Sequence, residues 1–245
     1  MVAGPCSNPF QERDPLSPDA SVRFAGFPGQ LSTVFPQSRT ESRTALLNAV
    51  TVQTFAPGQR IFRQGDDTPV ALVLDGHVAI RRTSLDGRQL IFRIVGQGKL
   101  AAFFPLKARP SAADAIALTE ASIALWTGSW FRSLATLDSG LAVDLLDHVL
   151  LTYEDVVGRL DSLLYQDALR RVARILNLHA DLFFADQPVL TRDYLPNLVG
   201  TSREMTGRVL RVLESRALVT RVGRDRLRLL DAAGLAAVAG EQPGS

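Results

Sequence analysis

The chain has 245 residues, of which 46% are apolar and 21% charged, and its 27 basic and 25 acidic residues give a formal net charge of +2. A single cysteine excludes a disulfide framework and a cysteine-rich zinc or iron–sulfur site, and no apolar run approaches the roughly 18 residues of a membrane span. The first residues lack a basic segment followed by an apolar stretch, so we predict a soluble, cytoplasmic protein without a secretory signal.

The N-terminal half has two parts with different patterns. Residues 1 to 22 are rich in Pro, Ser and Asp and have no apolar period, which predicts a flexible tail. From about Val50 to Trp126, short apolar segments recur about every 8–12 residues between turn signals such as Asp75-Gly76. This rhythm predicts a small antiparallel barrel or sandwich, within a domain that we place at residues 23 to 136.

From about Leu137 the apolar period becomes helical. Alternating three- and four-residue steps mark a seam formed by Leu146, Val149, Tyr153, Val156, Leu160 and Leu163. Residues 136 to 165 also contain six acidic residues and one basic residue, Arg159. A long acidic helix with a narrow apolar stripe needs a partner helix, so we predict a dimerisation helix over residues 137 to 166. Packing of this helix on its own domain is the alternative.

The C-terminal part begins with a predicted helix and continues with the pattern of a helix-turn-helix. Thr191 is expected to cap a short helix, Gly200 to form the sharp turn after it, and Thr201 or Ser202 to cap the next helix. Pro196 lies inside the short helix, and we expect it to be close enough to the first turn to be tolerated.

The second helix of this pattern has an apolar and a basic side. At helical steps the predicted buried residues are Met205, Val209, Val212 and Leu213, and the predicted exposed residues are Arg203, Glu204, Gly207, Arg208 and Arg211. Arg203 and Arg208 can donate to guanine, and Glu204 can accept from cytosine. The remaining candidate DNA contacts, to phosphates or at the cap, are Thr191, Ser202, Thr206 and Arg211. The sequence therefore predicts a helix that enters the major groove of DNA.

A basic wing is predicted behind this helix, because residues 216 to 228 have the pattern of two strands around Gly223. Residues 201 to 228 contain eight arginines and three acidic residues, a local charge of +5. We therefore predict a winged helix-turn-helix DNA-binding domain over residues 167 to 245. An ordinary amphipathic helix with a solvated basic side is the alternative.

Residues from about 50 to 232 resemble the cyclic-AMP receptor protein/fumarate-nitrate-reductase regulator (CRP/FNR) family of bacterial transcription regulators. The segment TSREMTGRVLRVLE at 201–214 is very similar to the family's recognition helix, and PGQRIFRQGD at 57–66 and LDGHVAI at 74–80 are similar to turns of its β-roll.

The resemblance implies an α+β fold: an N-terminal antiparallel β-roll like that of cyclic-nucleotide-binding domains, a long dimerisation helix and a C-terminal winged helix-turn-helix. It further implies a homodimer on palindromic double-stranded DNA, base reading by Arg203, Glu204 and Arg208, and contact with RNA polymerase if the protein is an activator.

The resemblance also implies where an effector would bind. Cyclic-nucleotide binders of the family use a Gly-Glu pair followed by Arg-Ser-Ala, whereas here Ala102 and Phe103 occupy the pair and Ser111 stands in place of the arginine. The candidate pocket residues are Ala102, Phe103, Arg109, Ser111, Ala112, Val156 and Val157. A phosphate without a paired cation is unfavourable in an apolar roll, so we predict no binding in the usual mode. Binding of cyclic AMP in a modified pocket through Arg109 is the alternative.

Other effectors and activities leave weaker signals. Cys6 is the single cysteine, which excludes the iron–sulfur sensors of the family, and His77 is the candidate axial ligand for haem, although a lone histidine there is more often a solvated side chain. The three histidines lie in three different predicted elements, and no nucleophile or phosphate-loop motif is present, so we expect no enzyme. The effector thus stays unknown, a regulator without an effector is compatible with the sequence, and a sensor or scaffold that binds no DNA is the rival function.

Overall fold

The computed structural model describes residues 26–67, 69–102 and 110–240, so the predicted tail at residues 1 to 22 lies outside the described residues. From residue 26 onward, two short helices, α1 (Phe27–Val34) and α2 (Thr40–Ala49), precede the first strand. Leu31 and Leu46 of these helices are buried with Trp126 in one core, and the Trp126 Nε1 donates to the Leu46 carbonyl oxygen at 2.9 Å. This core closes one end of the sheet region.

Eight antiparallel strands follow in the described residues of this region and form the predicted antiparallel region. They are β1 (Thr51–Phe55), β2 (Arg60–Phe62), β3 (Val70–Asp75), β4 (Val78–Thr83), β5 (Gln89–Val95), β6 (Leu100–Ala102), β7 (Asp114–Ala117) and β8 (Ala121–Trp126). One four-stranded sheet has the order β1-β8-β3-β6 and the other β2-β7-β4-β5. We call these two sheets the roll. The prediction of an antiparallel barrel or sandwich is confirmed.

Glycine fixes the tight turn between β3 and β4. Gly76 has a φ of +83°, and a Cβ at this position would lie 2.3 Å from the Glu120 carbonyl oxygen. Both the left-handed backbone and the lack of space therefore require glycine here. The turn signal Asp75-Gly76 correctly predicts this turn, which connects strands of the two different sheets.

A short helix, α3 (Gly128–Leu137), and a 27-residue helix, α4 (Ser139–Tyr165), follow the roll. The Asp138 carboxylate caps α4 by accepting hydrogen bonds from the amides of Gly140 and Leu141 at 3.0 and 3.3 Å. The predicted long helix is thus confirmed, whereas α3 has no counterpart in the sequence-based prediction. No helix in the described part of the chain is long and apolar enough to cross a membrane.

The C-terminal part contains the elements of a winged helix-turn-helix. These are α5 (Ala168–Leu178), α6 (Ala180–Phe183), a 3-10 turn (Arg192–Tyr194), α7 (Leu195–Val199), α8 (Arg203–Ser215), β9 (Val219–Val222), β10 (Arg226–Leu229) and α9 (Ala232–Ala239). Asp167 caps α5 by accepting from the Arg170 amide at 2.8 Å, as expected for a helix beginning at this point. Because the sequence predicts DNA binding for this part of the chain, we call residues from α5 to α9 the DNA-binding unit.

The DNA-binding unit packs directly on the roll. Ala79 of β4 and Ile91 of β5 belong to the same buried core as Leu198 of α7, and α7 lies against β5. Arg159 of α4 joins the three parts, since its guanidinium donates to the carbonyl oxygens of Phe92 and Leu198. Burial lowers the pKa of Arg159, and these two carbonyl oxygens accept from its buried cation.

Candidate nucleic-acid interface

The turn between α7 and α8 depends on Gly200, which has a φ of +71°. The amides of Gly200 and Thr201 both donate to the Pro196 carbonyl oxygen, at 2.9 and 3.1 Å. Pro196 itself lies in the first turn of α7, where a missing N–H is tolerated. The predictions for the turn glycine and for the proline are both confirmed.

The two predicted helix caps have different outcomes. The Ser202 hydroxyl accepts from the Met205 amide at 3.1 Å and caps α8, as expected. Thr191, in contrast, precedes the 3-10 turn, and its side chain forms no capping hydrogen bond. Since Pro196 has no N–H to donate to the Arg192 carbonyl oxygen four residues back, the α-helical pattern cannot extend through it to Thr191. The prediction that Thr191 caps the short helix is therefore wrong.

Four charged side chains cover the exposed side of α8. These are Arg203, Glu204, Arg208 and Arg211. Glu204 and Arg208, one turn apart, form an ion pair while their side chains remain 74% and 60% exposed. In the free protein the pair therefore holds both groups on one side of the helix without removing them from solvent.

The buried side of α8 is rotated relative to the prediction. It consists of Thr206, Val209, Leu210 and Leu213, whereas Met205 and Val212 are 38% and 39% exposed, so the prediction that these two are buried is wrong. Thr206 is buried because its hydroxyl donates to the Ser202 carbonyl oxygen at 2.9 Å and needs no other partner. This position contradicts the predicted phosphate contact of Thr206.

The predicted wing is present as the hairpin of β9 and β10. Its turn contains Gly223, with a φ of +64°, and its side chains Arg224, Arg226 and Arg228 are exposed. Arg221 of β9 instead pairs with Glu214 at the end of α8. The hydrogen bond from Arg221 lowers the pKa of Glu214, so this carboxyl stays ionised and connects the wing to the helix.

The predicted seam of α4 lies largely on the surface of the single chain. Five of its six residues are exposed, namely Leu146, Tyr153, Val156, Leu160 and Leu163. The sixth, Val149, is partly buried against the core that contains Leu31, Leu46 and Trp126. Further apolar side chains widen this exposed side of α4, namely Leu150, Leu151, Val157 and Leu164. Large apolar surfaces of this kind are typical of protein–protein interfaces.

The candidate pocket residues that belong to the described part of the chain line neither of two clefts, one between the roll and α4 and the other between the roll and the DNA-binding unit. Ala102 is buried in β6, and the Ser111 hydroxyl donates to the Ala113 carbonyl oxygen at 2.7 Å. Phe103 and Arg109 lie outside the described residues, Ala112 is exposed, and Val156 and Val157 are exposed on α4. His77, the haem candidate, lies in the turn between β3 and β4, where its amide donates to the Thr119 hydroxyl at 3.0 Å.

A cleft of about 290 Å³ lies between the roll and α4. Its polar lining includes Arg93, Lys99, His148, Thr152 and Asp155. None of the predicted pocket residues within the described part of the chain lines this cleft. Arg93 also donates to the Thr152 hydroxyl at 2.9 Å, which fixes β5 against α4.

Sequence reasoning missed the contact between the roll and the DNA-binding unit, including the role of Arg159. One signal for it was present, since β5 reads Leu90-Ile-Phe-Arg-Ile-Val95 and is apolar at positions that point to both sides of its sheet. A strand with two apolar sides is covered on both, and α7 is the cover on the outer side. Arg159 itself leaves no comparable signal in the sequence.

Two family profiles match the chain, one in each half. The profile of the cyclic nucleotide-binding domain matches residues 52–137, and that of the Crp-like helix-turn-helix domain matches residues 170–238. The second match contains the turn, α8 and the wing described above. Among curated proteins, no relative matches the chain.

Solved structures with the same fold come from several bacteria. A transcriptional regulator of the Crp/Fnr family from Eubacterium rectale is 16% identical, with a TM-score of 0.71, covering 83% of this chain and 95% of its own. FixK2 from Bradyrhizobium japonicum is 19% identical, with a TM-score of 0.66 and coverage of 80% and 99%. A CRP/FNR-family regulator from Thermus thermophilus is 23% identical, with a TM-score of 0.65 and coverage of 79% and 100%. At these identities the likeness concerns the fold.

Proposed function

This chain belongs to the CRP/FNR family of DNA-binding transcription regulators, and we propose that it acts as a homodimer that reads a palindromic site through α8. The observation that carries the proposal is the exposed charged side of α8, which begins at a capped N-terminus directly after the Gly200 turn. A helix presented in this way fits the major groove with its N-terminal residues at the base edges.

Each charged residue of α8 has a proposed role. Arg203 and Arg208 donate to guanine O6 and N7, and Glu204 accepts from cytosine N4. Arg211 and the Ser202 hydroxyl contact phosphates, together with the amides at the start of α8. The ion pair between Glu204 and Arg208 then separates, or turns toward adjacent bases, when DNA replaces solvent.

The wing supplies contacts that do not depend on sequence. Arg224, Arg226 and Arg228 are exposed along one hairpin, and cations in that arrangement suit the DNA backbone. Arg221 is not among these contacts, since it is paired with Glu214. The wing is therefore proposed to increase affinity while α8 supplies specificity.

Dimerisation is proposed to occur through the exposed apolar side of α4. Pairing two copies of this helix about a two-fold axis buries Leu146, Tyr153, Leu160 and their neighbours and places two α8 helices on one side of the dimer. A two-fold dimer binds half-sites about one helical turn apart, with centres about 34–36 Å from each other. This proposal includes a division of the chain into three parts. They are a β-roll sensor domain at residues 23 to 136, a dimerisation helix at 137 to 166 and a winged helix-turn-helix DNA-binding domain at 167 to 245.

The roll is proposed to act as the sensor, because it packs directly on the DNA-binding unit. An effector that binds one arrangement of the roll and the DNA-binding unit more tightly than another shifts the protein toward that arrangement. The affinity for DNA then changes by an amount set by this difference in effector affinity. We propose no enzymatic activity, a cytoplasmic location, and contact with RNA polymerase if the protein is an activator.

The salt dependence of DNA binding tests this function. Affinity for a specific palindromic duplex, measured by fluorescence anisotropy, is expected to fall steeply as salt rises, by about 0.9 logarithmic units per logarithmic unit of salt for each phosphate contact. A flat response to salt, or equal affinity for any duplex, would contradict the proposal.

A further inference from the structure

A second cleft, of about 310 Å³, lies between the roll and the DNA-binding unit. Arg60 of β2 and Arg81 of β4 line its charged part, and Tyr194 and Asn197 line the side of the DNA-binding unit. The cleft is distinct from the predicted effector pocket, whose described residues are absent from its lining. It lies where α7 meets the sheet of β2, β7, β4 and β5.

The two arginines share one carboxylate and are not saturated by it. The Asp114 carboxylate lies 3.8 Å from Arg60 Nε and 3.4 Å from Arg81 Nη2, and it accepts a closer hydrogen bond, 2.9 Å, from the Gln64 amide. Strong charge-assisted hydrogen bonds have lengths of about 2.7–2.9 Å, so both ion pairs are loose. This group of two cations and one anion has a formal charge of +1.

Arg81 also has a donor that nothing in the described part of the chain accepts. Its Nη1 donates to the Gln89 side chain at 3.2 Å and its Nη2 to Asp114, but the buried Nε has no hydrogen-bond partner. Buried polar groups normally find a partner, because an unpaired donor is unfavourable. The neighbours of Arg81 therefore satisfy its guanidinium only in part.

Apolar side chains lie beside the two arginines. Ile116 of β7 is the register partner of Arg60, Ile91 of β5 is that of Arg81, and Ala79 and Leu118 also line the cleft. A cavity of this size, with a few convergent polar groups and an otherwise apolar wall, has the character of a small-molecule site. Inorganic phosphate can pair with the arginines but leaves these apolar side chains uncovered.

We propose that this cleft binds a small organic anion, with an anionic oxygen group at Arg60 and Arg81 and an apolar or aromatic body against Ile91 and Leu118. Because Tyr194 and Asn197 come from the DNA-binding unit, the bound anion contacts both parts and favours the arrangement in which they are docked. The site thereby couples a metabolite-sized anion to DNA affinity, and this step rests on the proposed regulator function.

Phenyl phosphate is the probe, and isothermal titration measures its binding to the full chain. The matched variants are Arg60→Gln, Arg81→Gln and, as the control, Arg82→Gln, which changes the next residue of β4, an exposed arginine outside the cleft lining. Loss of a charge-assisted hydrogen bond is expected to weaken binding by about tenfold or more in each of the first two variants. The control is expected to bind like the unmodified protein.

Inorganic phosphate is the second arm and is expected to bind about tenfold more weakly than phenyl phosphate, because it leaves the apolar wall uncovered. Equal affinity for the two ligands would mean an adventitious ion only and would overturn the proposed site. The absence of phenyl phosphate binding would overturn it too. Equal binding by all variants overturns it as well. Far-UV circular dichroism checks the fold, and Arg60, the more exposed of the two arginines, gives a readout even if Arg81→Gln does not fold.

The regulatory part is tested separately, by DNA affinity with and without phenyl phosphate. The unmodified protein is expected to change its affinity by about threefold or more, and Arg60→Gln to bind the same DNA without responding to the probe. Binding of the probe without any change in DNA affinity overturns the coupling. Failure to bind DNA at all contradicts the proposed function, while the titration still decides the site.

Discussion

Arg221 of the wing donates two hydrogen bonds to Glu214 of α8, from Nε to Oε1 at 2.7 Å and from Nη2 to Oε2 at 2.6 Å. Two parallel bonds of this kind fix direction as well as distance. The pair therefore sets the angle between the helix that reads bases and the hairpin that follows the DNA backbone.

The Glu214–Arg221 pair predicts a pH dependence of stability. Because folding lowers the pKa of Glu214, the stabilisation is complete above the ordinary pKa of glutamate and is lost as the pH falls through the lowered value. Glu214→Gln is expected to cost about 0.2–1 kcal/mol in urea unfolding at neutral pH, and less in acid. The control is Glu120→Gln, which changes an exposed glutamate without an ion pair in residues 26–67, 69–102 and 110–240. If Glu214→Gln lowered the free energy of unfolding equally at neutral and acid pH, the pair would not be the source of the pH dependence.

Base reading by α8 predicts different effects for helix and wing. Arg208→Ala or Glu204→Ala is expected to cost about 1–3 kcal/mol of binding free energy and to relax discrimination at one base pair in each half-site. Arg228→Ala, in the wing, is expected to weaken binding to all sequences alike and to reduce the salt slope by about one unit. Binding competition with single-base variants of the site measures both. If Arg208→Ala instead weakened binding to all sequences alike, Arg208 would be a contact to the DNA backbone and not to a base.

Replacing Gly207 by alanine is expected to change stability and DNA affinity in opposite directions. Gly207 lies within α8, and a Cβ there would have no heavy atom within 4 Å, so Gly207→Ala is expected to stabilise the free protein by about 0.5–1 kcal/mol. If this side of α8 lies against DNA, the added methyl group lowers affinity at the same time.

The control for that substitution is Gly158→Ala in α4, where the Cβ would make only an ordinary contact of 3.6 Å with Arg174. It is expected to stabilise the chain by a similar amount and leave DNA affinity unchanged. Unchanged affinity in Gly207→Ala would place DNA away from this side of α8.

The proposed interface on α4 predicts a dimer that one charge disrupts. Leu160 is 53% exposed in the single chain, so Leu160→Asp is expected to fold and to dissociate into monomers, because it buries an unpaired carboxylate between two helices. Sedimentation equilibrium measures the mass, and DNA affinity falls with it. Asp161→Ala, at the neighbouring exposed position, is expected to remain dimeric. A dimeric Leu160→Asp protein would move the interface elsewhere.

The sequence predicts best what local chemistry determines. Gly200, Ser202 and the turn at Gly76 act within a few residues, so their patterns identify the helix-turn-helix and the turn between β3 and β4 directly. The buried side of α8 was mispredicted because Met205 is apolar and Thr206 polar, whereas burial depends on the internal hydrogen bond of Thr206 and on which positions face the core.

The contact between the roll and the DNA-binding unit could not be derived from periodicity. It depends on residues far apart in the chain, such as Ile91 and Leu198, and on Arg159, whose partners are backbone carbonyl oxygens and so leave no signal in side-chain patterns. The cleft at Arg60 and Arg81 is a consequence of the same long-range packing.

Selection of bound sequences from random duplexes is the most direct test that the protein reads DNA as a two-fold dimer through α8. We expect enrichment of an inverted repeat with half-site centres about one helical turn apart, and a changed half-site for Glu204→Ala. No enriched sequence, or an enriched sequence that Glu204→Ala leaves unaltered, would contradict base reading by a two-fold dimer through α8.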